Sequence, residues 1–95
     1  MGLAFKTVTI TIPRTEGMFN ANQDVSFGRM VRTADVAIKA FKLYYAERPA
    51  SLGGRVQVGV SLENIGAEAI EFKVKTNYSG AEYQGEVSVL VIAEL

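Results

Sequence analysis

IEFKVKTNYSGAEYQGEVSVLVIAEL, residues 70–95, begins and ends in strict alternation. Ile70, Phe72 and Val74 fall on one side and Glu71, Lys73 and Lys75 on the other, the period of a half-buried β-strand. Val87, Val89 and Val91 repeat that period, but Leu90 and Ile92 make the second face apolar as well. A strand apolar on both faces has to be covered on both. Between the two runs lies KTNYSGAEYQGEV, residues 75–87, with two tyrosines, an asparagine, a serine and two glycines. Such residues read as a polar connection between two separate strands, and they set the scale of the fold: short strands, frequent turns, no helix.

Working back towards the N-terminus, RVQVGVSLE (residues 55–63) sets Val56, Val58, Val60 and Leu62 against polar residues and glycine. With the glycine-containing connection that follows, it should form a hairpin with residues 70–75. TADVAIKAFKLYYAE (residues 33–47) carries two periods. Val36, Ala40 and Leu43 have helical spacing after a possible Thr33 cap. Read as a strand, Val36 and Ile38 alternate, the phase slips near Ala40, and Phe41, Leu43 and Tyr45 alternate again. One β-bulge produces that slip, and the strand reading is preferred. DVSFGRMV (residues 24–31) reads as a short strand with Gly28 as a bulge. FKTVTITI (residues 5–12) alternates Val8, Ile10 and Ile12 with Thr7, Thr9 and Thr11, and Pro13 closes it. Residues 13–23 then form a long surface loop, a place where function collects.

Six strands with turn signals between them predict an all-β fold, a six-stranded antiparallel β-sandwich in one domain over residues 1–95. A sandwich has one core, so the second apolar face at Leu90 and Ile92 calls for a further cover. A second copy of the chain in a closed oligomer supplies it, with a loop of the same chain as the alternative.

Composition excludes several functions. The chain has 95 residues, 48% hydrophobic and 21% charged, which suits a folded domain. Ten basic residues, scattered singly, balance ten acidic ones, so neither nucleic acid nor an anionic membrane is an expected partner. No cysteine and no histidine occur. Thiolate chemistry, histidine-based acid–base catalysis and the common zinc ligand sets are therefore missing, and neither a catalytic nor a metal site nor a cofactor is expected. Glu63 with Glu68, and Glu82 with Glu86, fall in turns where carboxylates read as solvated. No run of about 18 apolar residues and no signal-peptide pattern occurs, so the reading is a soluble protein without a classical export signal.

DVSF, DVAIKAFKLYY and residues 53–95 together resemble the H-type lectin family, over residues 5–95. The resemblance implies six-stranded sandwiches that associate as trimers or paired trimers and bind N-acetylgalactosamine or galactose-type sugars between subunits. It places Arg55 where the family's arginine meets sugar hydroxyls, with a solvated strand-start arginine as the alternative. Tyr83 falls near the family's stacking tyrosine and Tyr78 near its tryptophan and histidine, with Asn77 in the same loop; packing at a subunit interface is the alternative for both tyrosines. Glu16 or Asp24 stands where the family's first loop supplies an acid. A structural self-assembling component of a virion, tail fibre or appendage, without sugar binding, is the competing function.

Overall fold

The computed structural model describes residues 2–45 and 56–95 and contains four strands: β1 (Leu3–Ser26), β2 (Thr33–Tyr45), β3 (Val56–Ile65) and β4 (Ala69–Glu94). All pairing is antiparallel and all of it is on β4. β1 runs along one side of β4 for its full length. On the other side β2 pairs with residues 83–94 and β3 with residues 70–78. The all-β antiparallel expectation holds. The six-stranded sandwich does not: the described residues form one continuous sheet of four strands, curled into a half-barrel.

The difference lies in two stretches that look like breaks and are not. Pro13 does not end the first strand. β1 is an edge strand, where a residue without an N–H is tolerated, and Pro13 sits in a register shift between Ile12 and Thr15. The connection expected at residues 75–87 is likewise paired backbone, inside β4. Thr15 pairs with Tyr83 and Gly17 with Tyr78, so β4 carries three more residues than β1 across this point. By contrast, residues 27–32 form a connection rather than a strand, with Gly28 at φ 69° in its turn.

That connection dictates the curl. Ser26 pairs with Ala69 at one end of β4, and Thr33 pairs with Glu94 at the other. A straight β4 would separate those ends by about 80 Å, whereas residues 27–32 can reach at most about 25 Å. The ends of the sheet therefore come together. The Phe27 amide donates to Glu68 O (2.8 Å), Val31 N to Ala67 O (2.9 Å) and Arg32 N to Glu94 O (2.8 Å), so the one connection touches both ends of β4.

The inner face of the curl is the core. Cross-strand rows run Val8, Val89, Ile38; Ile10, Val87, Phe41; Ala21, Val74, Val60; and Gln23, Phe72, Leu62. Phe72, Val74, Val87, Val89, Val91 and Tyr83 are fully buried. The bulge expected near Ala40 is present: Ile38 pairs with Val89 and Ala40 with Ser88, leaving Lys39 as the extra residue. The hairpin expectation also holds, β3 and β4 meeting at a turn in which Gly66 N donates to Ala69 O (2.8 Å).

Gly85 fixes how β2 lies on the bend. It pairs with Ile12 on one side and Leu43 on the other, at φ 156°. A Cβ there would stand 1.8 Å from the backbone oxygen of Lys42. Gly85→Ala is expected to destabilise the fold by about 3 kcal/mol, from overpacking against backbone together with the unfavourable φ. At Gly59, by contrast, a Cβ meets nothing within 4 Å, so Gly59→Ala should be neutral or slightly stabilising. Paired denaturant titrations of the two variants check this.

Candidate binding face

The curl separates the five described residues among the six expected at a ligand site. Tyr83 faces inward and is fully buried. Its hydroxyl donates to Gly17 O (2.8 Å), and the Thr76 hydroxyl, itself buried, lies 2.9 Å from the Tyr83 hydroxyl oxygen. One proton balance satisfies the set: Tyr83 gives its hydrogen to the carbonyl and accepts that of Thr76. Tyr78, half-buried on the inner face, stacks on Tyr83 at 5.7 Å between ring centroids and 29° between planes. The two rings fasten the bend together, and Tyr83 has no free face for a sugar to stack on.

Asp24 is exposed and pairs with Glu71 near the far end of β1. Glu16 is exposed beside the bend, next to Gly17. Arg55 lies outside the described residues. Asn77 is on the outer face, in the row Met18, Asn77, Gln57. Of the described five, Glu16 lies two residues along β1 from Met18, the partner of Asn77, whereas Asp24 is about 20 Å further along β1.

Around Asn77 the pairing builds a groove of about 510 Å³, lined by Met18, Val56, Gln57, Val58, Gly59, Lys75, Thr76 and Asn77. The next row is Asn20, Lys75, Gly59. Gly59 lacks a side chain where its neighbours have one, and this opens the floor. Two amides that both donate and accept, one ammonium that only donates, and an exposed thioether chain at Met18 line it. No carboxylate is among the lining residues. Such a set fits a neutral ligand with several hydroxyls and one apolar face better than it fits an anion, which would call for more than one cation. Met18, Gln57, Gly59 and Lys75 went unmarked in the sequence because each is an ordinary outward residue. The hairpin register, which puts Gln57 beside Asn77 and Gly59 beside Lys75, is the signal that gathers them.

Arg14 and Glu82 form an ion pair across the bend, both substantially exposed, so its contribution is small. Among the described residues no helix is long and apolar enough to cross a membrane. Comparison with known proteins finds no matching family model, no matching curated protein and no matching solved structure.

The inward reading of Tyr83 has a measurable consequence. Tyr83→Phe leaves the Thr76 hydroxyl buried without its acceptor and should cost about 1–3 kcal/mol. Adding Thr76→Val removes that orphan, so the double variant should be more stable than the two single losses summed. Additivity in a double-mutant cycle by chemical denaturation would refute the coupling.

Proposed function

We propose that the chain is a carbohydrate-binding module, with its site in the outer-face groove around Asn77. The groove's donor and acceptor set carries this reading: Asn77 and Gln57 amides, the Lys75 ammonium, the Met18 side chain and a floor left open at Gly59. Sugar hydroxyls pair with amides in both directions, and the C–H face of a pyranose packs on an apolar side chain. The resemblance to H-type lectins suggests N-acetylgalactosamine or galactose-type sugars, and it suggests subunit association, which would repeat a weak site and raise avidity. In this reading Asn77 is the ligand residue. Tyr78 and Tyr83 hold the bend behind it, and Glu16, two residues from Met18 along β1, is the candidate to extend the site.

A second reading, a structural self-assembling component, is favoured by a different observation. None of the described side chains of β2 or β3 is fully buried, although Val36, Ile38, Phe41, Leu43, Val56, Val58, Val60 and Leu62 all fall in inner-face rows. Phe41 is 53% exposed and Val56 45%, while Phe72 and Val87 beside these strands are at 0%. On the β1 side Ile10, Ile12 and Val25 are buried. The core is less covered on the β2 and β3 flank than on the β1 flank, and in this reading a partner supplies the rest of the cover.

Amide-resolved NMR titration with N-acetylgalactosamine and galactose decides the first reading. Shifts should centre on Gln57, Gly59, Lys75 and Asn77, and Asn77→Ala should weaken binding about fivefold, the effect of one lost hydrogen bond. Absence of shifts in this groove across a glycan panel at tens of millimolar would sink it.

A further inference from the structure

The free edges of this sheet are not equivalent. β1 has an inward-facing charge, Lys6, in the row with Val91, and it carries Pro13 and a bulge at mid-length. Its second half adds Gln23 to the inner face and Asp24 to the outer. β2 has its bulge at Lys39, followed by Lys42. Inward charges, prolines, bulges and lysines are the devices that stop an edge from pairing with another chain. Residues 56–62 of β3, VQVGVSL, have none: no charge, no proline and no register shift before Glu63. Among the described residues this segment pairs with β4 alone, and its inner-face valines are incompletely covered, Val56 exposed and Val58 and Val60 half-buried.

From this we infer that the β3 edge pairs antiparallel with β3 of a second copy, about a two-fold axis at Gly59. The inference deepens the assembly reading and rests on it. The occupant follows from the pattern of the strand. An antiparallel pair centred on Gly59 sets Val56 opposite Leu62 and Val58 opposite Val60, every inner residue against an inner residue, with Gln57 opposite Ser61 outside. A one-residue slip would put valines against outward polar residues and lose the match. Because the segment is uncharged, the symmetry brings no like charges face to face. The continuous sheet buries the partly exposed inner row of each copy against that of the other. It also joins the two outer-face grooves at their open floors, Gly59 beside Gly59, making one cleft with a Lys75 on each flank. Those lysines would be about 14 Å apart, three strand spacings.

Sedimentation velocity on the full chain tests this with three substitutions at the axis. A side chain at Gly59 meets nothing within 4 Å in the single chain, so the fold tolerates it. Gly59→Lys sets two ammonium groups opposite each other and should weaken dimerisation about tenfold or more. An equimolar mixture with Gly59→Glu should recover pairing. Gly59→Cys, in a chain without cysteine, should oxidise to a covalent dimer because directly opposed Cα atoms stand about 5 Å apart. Ser61→Cys, whose counterpart is four residues out of register, should not. A wild type that stays monomeric at about 1 mM overturns both the pairing and the assembly reading, and leaves the sugar reading to its own test. A dimer indifferent to Gly59→Lys and not linked through Gly59→Cys overturns the β3 axis while assembly through another surface stands. A monomer whose β3 amides resist hydrogen exchange also overturns it, since a segment of the same chain then covers the edge.

Discussion

Six residues have to carry the chain from one end of β4 to the other. Everything else in the fold adapts to that. Antiparallel pairing with β4 makes β1, β2 and β3 all run the same way, so after β1 the chain must return to its starting end before β2 can begin. Parallel neighbours in a flat sheet are normally joined by a long crossover. Here the sheet bends until its ends meet, and residues 27–32 bridge them with backbone hydrogen bonds to Glu68, Ala67 and Glu94. Lys6 closes the same end, its ammonium donating to Ser26 O and standing 5.2 Å from the centre of the Phe27 ring. An inward-pointing lysine, which in an ordinary core would be costly, here meets a carbonyl and an aromatic face.

A bend in a strand risks turning the core face outward, and the extra residues at the bend prevent this. On β4 the inward positions are even before it, at Ile70, Phe72, Val74 and Thr76, and odd after it, at Tyr83, Val87, Val89 and Val91. On β1 they are even before, at Ile10 and Ile12, and odd after, at Val25. At one register shift β1 has one residue more than β4, at the other β4 has three more than β1, and an odd excess reverses the parity of the strand that carries it. The same apolar face therefore runs through the bend, and the hydrogen-bonded set of Tyr83, Thr76 and Gly17 holds it from inside.

The alternation was legible in the sequence wherever it was uninterrupted. The inward sets Val8, Ile10, Ile12; Ile70, Phe72, Val74; and Val87, Val89, Val91 could be read directly, and so could the slip at Ala40, because a bulge leaves its mark as a change of phase. Continuity through the bends was not legible. Pro13 and the glycines at 80 and 85 are break signals by local chemistry, and only the register on β4 turns them into bulges within strands. The facing of Tyr83 was hidden for the same reason: a tyrosine in a polar stretch carries no sign of which way it points until the parity change turns it inward. The candidate groove was legible at Asn77 alone, because a groove made by neighbouring strands belongs to the pairing and to no single segment.

The double apolar face of the last strand shows how register redirects a sound inference. Leu90 and Ile92 do point outward, and they are half-buried. Part of their shelter is local. Lys39, the extra residue of the β2 bulge, reaches Thr7 Oγ1 on β1 at 3.4 Å, and its methylene stem has to pass over β4, where Ser88 and Leu90 face out. The larger deficit is on the flank. There the inner rows of β2 and β3 are only partly covered, and Phe41 and Val56 keep about half their surface in water. An edge residue in an inner row exposes both its side chain and a backbone edge, so a covering strand gains apolar burial and hydrogen bonds together. A cover over Leu90 and Ile92 would gain the first alone. A covering strand, if one is bound, therefore gains more at the edge of β3 than a cover gains on the outer face of β4.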